Sequence, residues 1–356
     1  MNRRSVFSLC ALVLLLIAGL LSPYIFRSDI EYQSDQFLMD TLVSIKVYGE
    51  DQDLLNAAVK GAYAEMRRIA ELADAFAKPE TAAAQGSDVF RVSALAGKGA
   101  VRVSNDVMAM LISSKAYADW SEGAFDVTVG PLMKLWDFGG SNPHLPTPDR
   151  IKAAVKLVGS KDLVLNEQHK TAMLAREGMR IDLGAVAKGY ATERALQVLK
   201  SHGIKKALID AGGNIRVLGR NRQELPWRIG IKDPRKSDAI IAVLQLEDAS
   251  AVTSADYYRG FESGGKRYHH ILDPRTGYPA GQSMSATVVT RDAGVADILS
   301  TVFFVLTPDK ALELAEKLEG VDLVLVTADR HIRHTASLEG KIAVQPDTGY
   351  HYDQGR

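Results

Sequence analysis

The sequence predicts an α+β fold, with mixed, mainly antiparallel sheets and flanking helices behind an N-terminal membrane anchor or signal segment. Three observations carry this expectation. Apolar residues recur at helical spacing over 53–73, 107–120, 149–158, 295–306 and 308–318. Strand-like patterns run over 41–47, dominate from 206 to 290 and return at 321–327, without the regular alternation of strand and helix that a parallel sheet needs. An apolar run from Val6 to Phe26 follows Arg3 and Arg4.

That first run sets the expected location. Arginines ahead of an apolar stretch hold the N-terminus in the cytoplasm, so the rest of the chain is expected to be exported, associated with the inner membrane and facing the periplasm. No Ala-x-Ala cleavage site is evident, which favours an uncleaved anchor over a cleaved signal peptide. Cys10, the only cysteine, lies inside the run, so the folded part carries no thiol, disulfide or cysteine-based metal site. The chain divides into an anchor or signal at 1–28, one domain at 29–344 and a loose polar tail at 345–356. Its 356 residues are 46% hydrophobic, enough for a large core, and 43 basic residues balance 43 acidic ones. With no basic stripe, nucleic acid is not an expected partner.

Three segments carry chemistry. The first, Tyr268 to Pro279, places His269 and His270 ahead of Asp273-Pro274-Arg275-Thr276-Gly277, a turn-rich loop of the kind on which reactive groups sit. A structural turn, with Arg275 paired to Asp273 and a buried histidine, reads the same residues equally well. The second is Asp182-Leu183-Gly184-Ala185-Val186-Ala187-Lys188-Gly189-Tyr190, read as a strand end, a turn and a helix start. A helix start offers free N–H groups and partial positive charge, and Lys188 adds a cation, which together suit a phosphate. An ordinary strand-to-helix connection would look alike. In the third, Asp297, Ser300 and Thr301 stand at i, i+3 and i+4 of a helix opened by Asp292, giving one face hard oxygen donors suited to Mg2+. Back-bonding of the two hydroxyls, with Asp297 on the surface, is the alternative there.

These segments, in order, together with Met39-Asp40-Thr41, Gly123 to Leu132, Gly212-Gly213-Asn214, Trp227 to Ile231 and Thr253 to Tyr257, resemble the ApbE family, the FAD:protein FMN transferases. The likeness covers nearly all the chain beyond the first 35 residues. It implies an ApbE-like, T-fold-like domain and FAD as substrate, contacted at Met39, Phe76, Ala124, Phe125, Asp126, Asp182, Lys188 and the His270–Ile271 loop. It also implies Mg2+ held by the Ala185 carbonyl and the side chains of Asp297 and Thr301, with Ser300 adjacent.

The expected reaction is phosphoryl transfer: a threonine or serine hydroxyl of an exported client flavoprotein attacks the FMN-side phosphorus and AMP leaves. His270 is the candidate base, as a neutral imidazole near its usual pKa, and is preferred to His269 because it directly precedes Ile-Leu-Asp-Pro. The same residues would serve an FAD pyrophosphatase giving FMN and AMP, or a non-enzymatic flavin-binding or delivery protein. Three departures from the family pattern stand out: Phe76 where tyrosine is common, followed by the insert Ala77 to Gly86; Ala255 where glycine is usual; and the paired histidines.

Overall fold

The computed structural model describes residues 29–140 and 143–353, so the predicted anchor or signal at 1–28 lies outside the described residues. None of the described helices is long and apolar enough to cross a membrane. The fold is α+β, as expected. A nine-stranded sheet runs in the order Ile30–Leu38, Thr41–Gly49, Lys206–Ala211, Asn214–Leu218, Ser250–Ala255, Ser283–Thr290, Asp322–Thr327, His331–His334 and His351–Tyr352. Every neighbouring pair is antiparallel except the last.

Burial on both faces explains the sequence of the central strands. In Asp322–Thr327, Leu323 and Leu325 join a core shared with the helices Gln52–Ala73, Ala187–Ser201 and Ala293–Val305. Val324 and Val326 point the other way, onto Trp227, Ile229 and Ile231 of a three-stranded sheet made by Trp227–Asp233, Lys236–Leu246 and Ile342–Val344. Successive side chains leave a strand on opposite faces, so a strand covered on both sides is apolar throughout. The helices show their own period. Gln52–Ala73 buries Leu55, Ala58, Val59, Ala62, Tyr63, Met66 and Ile69 on one face, and the Asp51 carboxylate caps it by accepting from the N–H groups of Asp53 and Leu54.

Two segments differ from expectation. Residues 30–38, ahead of the first strand pattern at 41–47, form an edge strand paired along its length with Thr41–Gly49 through a two-residue turn at Met39 and Asp40, both with positive φ. An edge strand with so much of its surface exposed shows little alternation in sequence; Tyr63 fastens it by donating to Ser34 O. The tail predicted to be loose is instead held as far as residue 353. His351–Tyr352 adds to the sheet, Tyr350 donates to Asp233 at 2.7 Å, and Tyr352 Oη lies 2.8 Å from His334 Nε2. Short helices at Ala82–Gly86, Asp88–Ala94 and Gly130–Trp136 were not anticipated, being too brief to show a period.

Candidate active site

A cleft of about 830 Å3 opens where the strand ends of the large sheet meet the start of the helix Ala187–Ser201 and the middle of the helix Ala293–Val305. It is lined by Met39, Phe76, Ala124, Phe125, Asp126, Asp182, Ala185, Lys188, His270, Ile271, Asp297 and Thr301, which brings together every predicted site residue but one. The exception is Ser300, expected at the metal. It is fully buried, donates to Asp297 O at 2.9 Å and shares a hydrogen bond with Ser254 Oγ, so it braces the helix face from behind.

The two histidines have separate roles. His269 is buried edge-on to Phe304, with Nε2 2.7 Å from Ala280 O and Nδ1 accepting from the Ile271 N–H. Both ring nitrogens are occupied, so it is a structural histidine, buried and satisfied by the backbone. His270 Nδ1 lies 3.3 Å from Arg259 O and must be the protonated nitrogen to donate there, which leaves the Nε2 lone pair free. Burial, and then the Lys188 charge, push its pKa down to about 3. The expectation of a near-normal imidazole therefore needs correcting: the ring is neutral, as a base must be, but weakly basic. Its loop is held tightly. Arg275 pairs with Asp273 through two bonds of 2.8 and 2.9 Å, and Trp136 Nε1 donates to Gly277 O inside a cluster with Phe138, Phe261 and Tyr268.

The oxygen donors line the same cleft. Asp297 is only 4% exposed, contrary to the surface position of the alternative reading, and its Oδ2 accepts from Gly189 N–H at 2.9 Å. Gly189 thus donates to Asp297 rather than to the Ala185 carbonyl four residues back, which leaves that carbonyl, at a residue lining the cleft, without its helical partner. Thr301 Oγ1 makes only long contacts, 3.4 Å to Asp297 O and 3.3 Å to Ser254 Oγ. Burial raises the Asp297 carboxyl above the usual carboxylate range, although Lys188 opposes this. Lys188 sits in the first turn of its helix, whose start lacks a side-chain cap, and donates to Gly184 O at 2.8 Å.

Asp182 closes a tight turn by accepting from Gly184 N–H, and burial raises its carboxyl too. The Asp126 carboxylate is already engaged by Thr128 and by Ser160 N, so the run Ala124 to Asp126 meets the cleft as a fixed wall. Phe76 is 60% exposed on the rim. Ala255 lies in a regular strand outside the positive-φ positions, so the missing glycine has no backbone cost.

Asn214, which follows Gly212 and Gly213, also lines the cleft. Asn214 is 1% exposed, and neither its Oδ1 nor its Nδ2 has a hydrogen-bond partner. Leaving such a group unpaired costs about 1–3 kcal/mol, which a bound ligand could recover. An orphaned carbonyl, a buried carboxylate, a loosely held hydroxyl and an unpaired amide form a donor set that fits a hard cation.

Comparison with known proteins agrees with this geometry. A profile of the ApbE family matches residues 39–325. The chain belongs to the ApbE family. It is 33% identical over 322 residues to an FAD:protein FMN transferase of Klebsiella pneumoniae, covering 90% of this chain and 96% of that one. A Treponema pallidum protein of the same description is 32% identical over 329 residues, 88% of this chain and 89% of the relative. Among solved structures, the ApbE protein of Thermotoga maritima superposes with a TM-score of 0.80 at 33% identity, covering 88% of this chain and 99% of the other. The flavin transferase ApbE of Vibrio cholerae gives 0.73 at 26% identity, over 84% and 94%. The ApbE match starts at Met39, in the turn that forms one lip of the cleft.

Proposed function

We propose that this ApbE-family chain transfers FMN from FAD to a threonine or serine hydroxyl of exported client flavoproteins, with Mg2+ as cofactor and AMP as the leaving group. The observation that carries the reading is the convergence in one cleft of a neutral imidazole, a lysine and a set of free oxygen donors.

His270 Nε2 would take the proton of the acceptor hydroxyl as its oxygen bonds to the FMN phosphorus. The bond from that phosphorus to the bridging oxygen breaks, and AMP keeps the electron pair. In the free protein His270 is a poor base because burial, and then Lys188, disfavour its charged form. An anionic pyrophosphate beside Lys188 offsets that charge and moves the imidazole back toward useful basicity. Lys188 also meets charge developing on the leaving phosphate. Ala185 O, Asp297 and Thr301 are the residues that would hold Mg2+, which when bound stabilises the pyrophosphate oxygens as they gain charge. Phe76 offers a ring to the flavin or adenine without the hydroxyl that a tyrosine would add.

The deciding test incubates the protein with FAD and Mg2+, with and without a peptide bearing a flavinylation-type threonine. A covalent flavin–peptide adduct supports transfer. Free FMN and AMP alone would make it an FAD pyrophosphatase, and unchanged FAD a binding or delivery protein. The Val6 to Phe26 run supports an inner-membrane anchor with the domain on the periplasmic side. A mature N-terminus beyond Pro23 would replace the anchor with a cleaved signal.

A further inference from the structure

Asn214 opens the strand Asn214–Leu218 immediately after the turn at Gly212 and Gly213, both of positive φ. That turn cannot shift easily. A Cβ on Gly212 would lie 2.1 Å from Thr41 Oγ1, and the Asp210 carboxylate accepts from Gly213 N–H at 2.9 Å. The amide is therefore delivered by a rigid element to the inner wall of the cleft, where it remains unpaired. It stands beside the Asp297 carboxylate and helps to hold it ionised, the NH2 group approaching the carboxylate in a contact that falls short of a full hydrogen bond. Asp297 Oδ2 is committed to Gly189 N–H, so only Oδ1 is free to be steered. A buried side chain held this firmly with both polar ends vacant is poorly explained by packing alone.

We propose that Asn214 is a positioning residue of the cation site: its NH2 group orients the free oxygen of Asp297, and its carbonyl oxygen accepts from a water of the bound cation. This rests on the Mg2+ reading of the same cleft. A neutral amide suits the task because it adds a donor and an acceptor without a second negative charge to repel the pyrophosphate. The local cost of the unpaired amide is recovered when a cation and its water fill the site.

The test measures Mn2+ binding by electron paramagnetic resonance, with and without FAD, on the wild type and on Asn214→Leu, Asn214→Ala and Asp297→Asn, alongside metal-free melting temperatures. Leucine nearly conserves the volume, and alanine covers the case in which leucine does not fit. The expected result is Mn2+ affinity lowered roughly ten- to a hundredfold in both Asn214 variants, with the metal-free melting temperature of Asn214→Leu unchanged or raised. Affinity within twofold of wild type in both, while Asp297→Asn loses the metal, overturns the role of Asn214 and leaves the Mg2+ reading intact. A lower melting temperature with unchanged metal affinity makes the amide structural only. If Asp297→Asn binds Mn2+ as the wild type does, the cation reading falls and this inference falls with it.

Discussion

His270 and His269 are adjacent in sequence and unlike in chemistry, because one ring nitrogen of His270 is free while both of His269 are spent. His270→Ala should lower transfer by roughly two to four orders of magnitude and leave FAD affinity within a few-fold, since a general base acts on the transition state. His269→Ala should act first on stability, through the unpaired Ala280 carbonyl, and a transfer loss larger than that of His270→Ala at full folding would reverse the assignment. The low pKa of His270 also has a sign in stability. Between its folded value of about 3 and the ordinary histidine value of 6.5, the unfolded chain binds the proton and the folded one does not. Stability from this residue is thus present above about pH 6.5 and drains away as pH falls. His270→Gln should flatten the melting temperature between pH 6.5 and 4 relative to wild type; parallel curves would show that the imidazole is not held neutral.

Helix contact decides where the oxygen donors sit. Gly189 lies where Ala187–Ser201 crosses Ala293–Val305, and a Cβ there would stand 2.2 Å from Ala293 O and 2.7 Å from the Asp297 Cβ. Gly189→Ala must push the helices apart, at a cost of about 1–3 kcal/mol, and pull Asp297 from the cleft. Thermal unfolding and FAD affinity at fixed Mg2+ should both suffer, and a variant with wild-type values in each would show that the two helices yield without cost. The edge strand is a second element with a consequence. A chain starting at residue 29 keeps Ile30–Leu38 and its bond to Tyr63, whereas one starting at 39 strips the edge of the sheet and frees the Met39–Asp40 turn at the cleft. The shorter chain should melt lower and bind FAD more weakly, and equal behaviour would make the strand dispensable.

Across the whole molecule, the cleft and the small three-stranded sheet lie in different layers. Residues such as Ile229 belong to the core on the far face and contribute nothing to the cleft lining. Ile229→Ala should cost about 2–5 kcal/mol in denaturant unfolding yet keep kcat near wild type at temperatures where it is folded. A large kcat loss in the folded variant would mean that the two layers are coupled. A chain of residues 29–356 contains the cleft and the cores on both faces of the sheet, so it should fold and act in solution without the segment before it.

Much of this was legible in the residues themselves. Chemistry set by a short spacing can be read directly: Asp297, Ser300 and Thr301 share a helix face, Lys188 enters a helix start, and Asp273 with Arg275 and Gly277 makes a turn. Local sterics and hydrogen bonding dictate such features whatever surrounds them. What the chain could not announce is which member of each group faces the ligand. Ser300 turns inward while Thr301 lines the cleft, His269 is spent while His270 is free, and Asn214 is orphaned, because burial and pairing depend on strands and helices that meet only in the folded molecule. The pKa of His270 is of the same kind: Lys188 stands far from it in sequence and acts on it through space, in a wall of low polarity that exists only once the sheet has closed against the helices.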